Sequence, residues 1–304
     1  MASVVVVGSV NADHVIRCAE LPRPGETVFG YESSDGFGGK GGNQAVTAAS
    51  LGAPTVMIAA VGDDDSGAAA LLDLARYGVD VSQVLRVADA RTGEASVLVA
   101  DSGENAIIVL PGANARLTSA DVSGRLEALP LGRGDVVLAS AEISDDCVKA
   151  AAQACAESGA RLVYNLAPAR PLASWVTEHR PVLVLNEQEA LSVADEPSLS
   201  DALGRLAASA DAVIVTLGAR GAVLRQGDLV VSINTVALDA VDSTGAGDAF
   251  CGALAAELMH GHSLHAAAAS AALAGSLSVT GRGARGAVPT QAGLAQLRAT
   301  GTMR

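Results

Sequence analysis

Short, β-branched runs recur along this chain, each followed by a longer stretch rich in Ala and Leu. That alternation constrains the fold more than any single residue. The runs are Ser3 to Val10, Thr55 to Val61, Asp135 to Ala139, Arg161 to Asn165, Pro181 to Leu185 and Ala212 to Leu217. They are nearly continuous in apolar residues, as strands buried on both faces are. The stretches between them, among them Gln44 to Leu51, Gly67 to Tyr77, 118–129, 144–158 and 199–209, read as helices. Strands alternating with helices imply a mostly parallel sheet covered on both sides, an α/β sandwich of three layers, αβα. Half of the 304 residues are hydrophobic but only 2% are aromatic. The core is therefore built from Ala, Val and Leu.

Two segments break this rhythm. Between His14 and Gly36, Pro22 and Pro24 interrupt any helical period, and Thr27 to Tyr31 is strand-like. Ser96 to Ala100 and Ala106 to Leu110 flank Asp101-Ser-Gly-Glu-Asn105, the pattern of a hairpin. With Val28 to Tyr31 these make a small second sheet. It is too small to stand alone in water, so it must cover the active site or the same sheet of a second copy. The expected division is 1–12, 37–88 and 112–304 for the large α/β domain, and 13–36 and 89–111 for a β lid.

The last strand-like run, Leu229 to Leu238, gives way to Ala240 to Leu254, AVDSTGAGDAFCGAL. Gly245, Ala246 and Gly247 let the backbone turn tightly and approach a ligand, and an apolar helix follows. A helix starting there points free N–H groups and a positive dipole end at whatever lies above the loop, which makes an anion site. Asp248 stands at its edge. An acid beside an anion site suits phosphoryl transfer to a hydroxyl. The carboxylate orients the hydroxyl and takes its proton, and the N–H groups hold the charge on the phosphoryl oxygens. Turn-and-cap chemistry is the plain alternative, since Asp is a common N-cap. Two familiar phosphate loops do not fit. A dinucleotide fingerprint needs a third Gly where Phe250 stands, and Lys40 is followed by Gly41 rather than Ser or Thr.

Polar residues gather at the carboxyl ends of the expected strands, where α/β sheets bind ligands. Asn11 and Asp13 follow the first strand, Glu142 the Asp135 strand, and Asn186 and Glu189 the Pro181 strand. Thr216 lies at the end of the Ala212 strand, before Gly218-Ala-Arg-Gly221. A glycine-rich loop, Gly36 to Gly42, holds Lys40, and Asn43 opens the helix after it. So many polar groups on one sheet edge are hard to assign to structure alone. Gly62-Asp-Asp-Asp65 lacks the later ligands of a calcium loop and reads as a solvated helix start. His260-Gly-His-Ser-Leu-His265 lies where a helix ends, a place His favours, and is read as that rather than as a metal site.

The formal net charge of −13 argues against nucleic acid as a partner. It does not exclude phosphorylated ligands held by backbone N–H groups. Four cysteines without a C-x-x-C pair indicate neither a disulfide framework nor zinc. MASVVVVGSV lacks the basic start and long apolar core of a signal peptide, and Ala266 to Val279 is too short to span a bilayer. A soluble cytoplasmic protein is expected.

In this order the motifs resemble the ribokinase branch of the pfkB carbohydrate kinase family over nearly the whole chain. Gly8-Ser-Val-Asn-Ala-Asp13 is similar to that family's opening sugar motif, and Phe37-Gly-Gly-Lys-Gly-Gly-Asn-Gln-Ala45 to its first signature. Asp242-Ser-Thr-Gly-Ala-Gly-Asp248 with Ala249-Phe-Cys-Gly-Ala-Leu254 is similar to its second. Gly103-Glu-Asn105, Pro111-Gly-Ala-Asn114, Ala167-Pro-Ala-Arg170, Asn186-x-x-Glu189 and Thr216-Leu-Gly-x-Arg-Gly221 also fit. The resemblance implies a ribokinase-like fold with a lid that also forms a homodimer contact. It implies that Asn11, Asp13, Gly39, Lys40, Asn43 and Glu142 bind sugar hydroxyls. Asp248 would be the base for the terminal hydroxymethyl, and Gly245, Ala246 and Gly247 the anion hole. Thr216, Leu217, Gly218, Ala219, Arg220 and Gly221 would contact ATP, with Gly247 and Asp248 at its phosphate end. Asn186 and Glu189 would position phosphate and Mg2+. A monovalent cation, K+, would be held by Asp242, Thr244, Ser278, Gly281, Gly283 and Ala287. This chain departs from the pattern at Ala287, where Ser is frequent, and at Ala272, where His or Asn often borders the adenine. Glu94 stands in a lid strand where an apolar residue is usual, and Leu166 replaces a common Pro.

The implied activity is ATP-dependent phosphorylation of D-ribose at the 5-hydroxyl. Asp13 and Glu142 favour a neutral polyol over a sugar acid. One Trp, three Tyr and three Phe give little stacking surface for a nucleoside. Deoxyribose, a nucleoside or another sugar, including a keto-sugar acid, is the alternative within the same chemistry. A catalytically silent sugar-binding regulator is the alternative outside it, and the intact Gly245-Ala-Gly-Asp248 argues against that.

Overall fold

The first strand, Val4–Val7, shows how the main sheet is held. Successive side chains leave a strand on opposite faces. Val4 and Val6 enter one hydrophobic core, Val5 and Val7 the other, and all four are fully buried. The same alternation runs through Val136–Ser140, Val182–Asn186 and Ala212–Thr216. In this computed structural model, which describes residues 2–301, nine strands form the central sheet. Their order is Leu229–Ile233, Ala222–Gln226, Ala212–Thr216, Val182–Asn186, Arg161–Asn165, Val136–Ser140, Val4–Val7, Thr55–Ile58 and Val79–Asp80. The pairings are parallel except for the two that bring in the hairpin at the Leu229 edge.

A sheet buried on both faces needs helices on both. Lys40–Ser50, Asp65–Arg76, Ala246–Met259, Leu264–Ser278 and Gln291–Thr300 close the Val4 core. Ser119–Glu127, Asp145–Ser158, Ser174–His179, Glu187–Ala194 and Leu199–Ala207 close the Val5 core. The result is the three-layer αβα sandwich that the alternation implied. No helix among the described residues is long and apolar enough to cross a membrane.

A separate four-stranded sheet runs Gly30–Gly38, Asn11–Cys18, Gly93–Ala100, Asn105–Leu110. Its last two strands form the hairpin that the sequence suggested. Its first two differ from expectation. Asn11 and Asp13 do not simply follow the first strand, because a new strand starts at Asn11 directly after Val10. The glycine-rich stretch is not a loop either. Gly36 to Gly38 finish a strand and the helix starts at Lys40, so Asn43 lies inside its first turn. The Thr55 to Val61 run breaks after Ile58, and Ala60–Gly62 pairs instead with Leu85–Val87. The Leu229 to Leu238 run ends as a strand at Ile233, where it completes a hairpin turned at Gly227.

Candidate active site

Two helix N-termini meet at the carboxyl edge of the main sheet, and both begin at glycine. Asp64, Thr118, Ser144, Asn186, Ser198, Ser263 and Thr290 each cap a helix with a side-chain oxygen. Lys40–Ser50 and Ala246–Met259 begin instead at Gly39 and Gly245, each with φ of 79° and no side-chain cap. Only glycine adopts that φ readily. The approach is also close, since a methyl on Gly245 would lie 2.8 Å from Ala284 Cα and one on Gly39 2.8 Å from the Ser9 carbonyl.

Asp248 lies in the first turn of the second helix and is 6% exposed. Its distance from the first helix is fixed one turn further on. A methyl on Gly252 would lie 2.5 Å from the Gln44 carbonyl oxygen and 2.7 Å from Thr47 Cβ, so the two helices touch through backbone. This closeness brings two amides to the carboxylate. Asn43 Nδ2 donates to Asp248 Oδ2 at 3.0 Å, and Gln44 Nε2 donates to Oδ1 at 3.1 Å. Gln44 Nε2 also donates to Asn165 Oδ1 at 3.1 Å. Burial pushes the Asp248 carboxyl above the ordinary carboxylate range, against the pull of Lys40 and the two amides. A buried carboxylate of raised pKa is suited to accept a proton from a hydroxyl.

The other expected sugar residues gather around it. The Lys40 N–H donates to Glu142 Oε2 at 3.0 Å, and Ser9 Oγ donates to the same oxygen at 2.5 Å. The charge of Asp248 raises the Lys40 pKa, opposed by burial. Asn11 Oδ1 accepts from Asn114 Nδ2 at 2.8 Å. Asp13 reaches in from the lid strand rather than from a loop. Burial lifts its pKa to about 6; Arg285 pulls it down, and Glu142 and Asp248 push it up. Asp13 Oδ1 is buried without a protein partner. Gly38 backs so closely on the Asp13 carboxylate that a methyl there would overlap it.

A cleft of about 240 Å³ adjoins the Gly245 turn. Thr216, Gly218, Ala219, Gly221 and Gly247 line it, and Val236, Leu238, Phe250, Ala272 and Val279 give it apolar walls. Two expected nucleotide residues lie elsewhere. Leu217 packs against the Val5 core, and Arg220 donates to Glu187 at 2.5 Å on the surface. Asn186 and Glu189 form a capping box, each accepting the other's backbone N–H at 2.8 Å. The Glu189 charge still acts on Lys40.

Beside the Gly245 turn, Asp242 ties two loops together. Its Oδ1 accepts from the Thr244 N–H and its Oδ2 from the Gly283 N–H, both at 2.9 Å. Burial would raise this carboxyl, but these donors outweigh it and hold it below the ordinary range. Ser278 turns its hydroxyl back to the Gly275 carbonyl at 2.9 Å, and Ala287 adds no side-chain oxygen. A carboxylate suits a hard cation, and here both of its oxygens already accept backbone N–H groups.

Sequence reasoning missed Gln44, Asn114, Asn165 and Arg285. The first three carried a signal, Gln44 and Asn114 as members of motifs and Asn165 as a polar end to an apolar strand, and all three are buried. Arg285 carried none. It lies in a Gly- and Arg-rich turn, yet its Nε donates to Asn43 Oδ1 at 3.0 Å.

A family model described as pfkB family carbohydrate kinase matches residues 1–291. A ribokinase of Bacillus subtilis (strain 168) is 37% identical over 291 residues, which cover 96% of this chain and 97% of that protein. The ribokinase structure from Thermotoga maritima gives a TM-score of 0.88 at 28% identity, over 99% of this chain and 100% of that one. The structure of Arabidopsis thaliana ribokinase complexed with ribose and ATP gives a TM-score of 0.87 at 29% identity, over 98% and 99%. The chain belongs to the pfkB family of carbohydrate kinases.

Proposed function

We propose that this kinase transfers the γ-phosphoryl group of ATP to the 5-hydroxyl of D-ribose, giving ribose 5-phosphate and ADP. One observation carries the chemistry: a buried Asp248, held on both oxygens by amides at the head of a glycine-capped helix. The ribokinase relatives, one of them complexed with ribose and ATP, support the choice of substrates.

Asn11, Asp13, Gly39, Lys40, Asn43 and Glu142 bind the sugar hydroxyls. A site of this kind rejects analogues that leave one of its polar groups unpaired. Asp248 takes the proton of the 5-hydroxyl as that oxygen attacks phosphorus. The bond to the β-phosphate oxygen breaks, and ADP leaves with the electron pair. N–H groups at Gly245, Ala246 and Gly247 hold the charge on the phosphoryl oxygens. The adenosine lies in the Thr216 to Gly221 cleft. Mg2+ bound with ATP would neutralise phosphate charge; Asn186 and Glu189, which accept each other's backbone N–H, would hold it through water, as suits a cation that keeps much of its hydration. Asp242, the carbonyls of Thr244, Ser278, Gly281 and Gly283, and position 287, where Ala287 brings no side-chain oxygen, would hold K+, whose charge would add to the anion site. The small sheet closes over the sugar and excludes water. Its edge strand Asn105–Leu110, with Ile107 and Ile108 exposed, pairs with a second copy.

The test is ADP release with ATP and Mg2+, comparing D-ribose with deoxyribose, fructose, adenosine and 2-keto-3-deoxygluconate, each in K+ and in Na+. Ribose-dependent turnover raised by K+ is expected. Turnover with another compound alone moves the substrate, and none with any leaves a sugar-binding regulator. Asp248→Asn is expected to keep sugar binding and lower turnover about 10³- to 10⁴-fold; near-normal turnover removes Asp248 from this role.

A further inference from the structure

Asn43 can meet Asp248 in one orientation only, and Arg285 fixes that orientation from the other side. An arginine side chain has donors and no acceptor, and an ionised carboxylate only accepts. Arg285 Nε donates to Asn43 Oδ1 at 3.0 Å, so the carbonyl end of the amide faces Arg285. The NH2 end then faces Asp248 Oδ2, which it reaches at 3.0 Å. A flipped amide would set its carbonyl against the carboxylate and its NH2 against the guanidinium, two repulsive contacts. Asp73 anchors Arg285 by an ion pair at Nη1, and the two side chains are only 11% and 22% exposed. Asp73, Arg285, Asn43 and Asp248 thus form one directed chain from helix Asp65–Arg76 to the site.

A purely structural Arg285 would need only Asp73. Two observations say more. Its Nε is committed to Asn43, and the first helix is shaped to admit the guanidinium. A methyl on Gly42 would lie 2.8 Å from Arg285 Nη2.

We propose that Arg285 is a positioning residue for phosphoryl transfer. It locks the Asn43 amide so that one N–H supports Asp248 and the other faces the substrate hydroxyl. The proposal rests on the reading of Asp248 as the base; Arg285 itself touches no reacting atom.

The experiment measures kcat, KM and Tm at saturating K+ and Mg2+ for wild type, D248N, R285M, R285K, N43A and the R285M/N43A double variant. R285M is expected to lower kcat about 10- to 100-fold, the scale of a small misplacement of a catalytic group, with KM for ATP unchanged. R285K, whose ammonium can donate to one of the two acceptors, recovers part of the loss. R285M lowers kcat no further when Asn43 is already Ala. Wild-type kcat in R285M, a full repeat of its loss on top of N43A, or a loss equal to the unfolded fraction overturns the proposal. If R285M does not fold, R285K and the R285K/N43A pair carry the same cycle. An active wild type with an inactive D248N upholds the reading of the site whatever Arg285 does. A wild type without sugar-dependent turnover, or an active D248N, overturns both.

Discussion

Asp13 is held in a place that suits a ligand better than it suits the free protein. Burial near Glu142 and Asp248 lifts its folded pKa to about 6, against an ordinary value of 3.8. The folded state therefore binds more protons than the unfolded state between those values, and stability falls as pH rises through that window. Asp248, raised for the same first reason, acts in the same direction. Asp13→Asn is expected to melt a few degrees above wild type at pH 8, to lose most of that advantage near pH 4, and to bind sugar more weakly. Thermal melts at the two pH values, with sugar titration, check it. Asp13 and Asp248 were legible because each sits in a local motif. Arg285 was not, because its meaning comes from a partner 242 residues away.

At the scale of elements, the same substitution has opposite signs on two helices. Gly252 lies where the Ala246–Met259 helix touches the Lys40–Ser50 helix through backbone. Gly252→Ala must push these helices apart, at about 1–3 kcal/mol for overpacking, and should lower kcat by moving Asp248 from Asn43 and Gln44. Gly124, exposed on the Ser119–Glu127 helix, has open space where a methyl would go. Gly124→Ala is expected to stabilise the protein by about 0.5–1 kcal/mol without changing kcat. Urea unfolding and steady-state kinetics on both variants check the pair. The strands and helices of the main domain were readable because valine runs and apolar helical periods are strong local signals. The Gly36 to Gly42 stretch was misread because glycine erases both. Its strand and helix are set instead by contacts such as the Gly42 N–H to Ser9 carbonyl bond at 2.9 Å.

For the whole molecule, the order of motifs was enough to give the layers and the site edge, but not the joint between the two sheets. Asp64 was read as part of a solvated helix start. It caps its helix through the Gly67 N–H at 2.7 Å and also takes the Thr92 N–H at 2.8 Å and the Thr92 hydroxyl at 2.6 Å. Burial would raise its carboxyl, but these donors outweigh it and hold it below 3.8. A depressed folded pKa contributes stability above the unfolded value that is lost as pH falls through the folded one. Asp64→Asn is therefore expected to be less stable than wild type at neutral pH, to converge with it below about pH 4, and to raise KM for sugar. Acid titration followed by circular dichroism, with kinetics at neutral pH, checks both effects.

That joint also decides how the small sheet can travel. The chain enters it at Asn11 and again at Gly93, and these two residues are paired neighbours. Asn114 pins the first entry and Asp64 the second. The sheet therefore hangs from one short axis, as a door does, rather than from two separated straps. Strand Asn11–Cys18 has eight residues, so it reaches roughly 23 Å beyond that axis at about 3.3 Å per residue. A swing of about 10° then carries its tip roughly 4 Å, more than the width of a water molecule, while Asn11 stays at the hinge and Asp13, two residues out, moves roughly 1 Å.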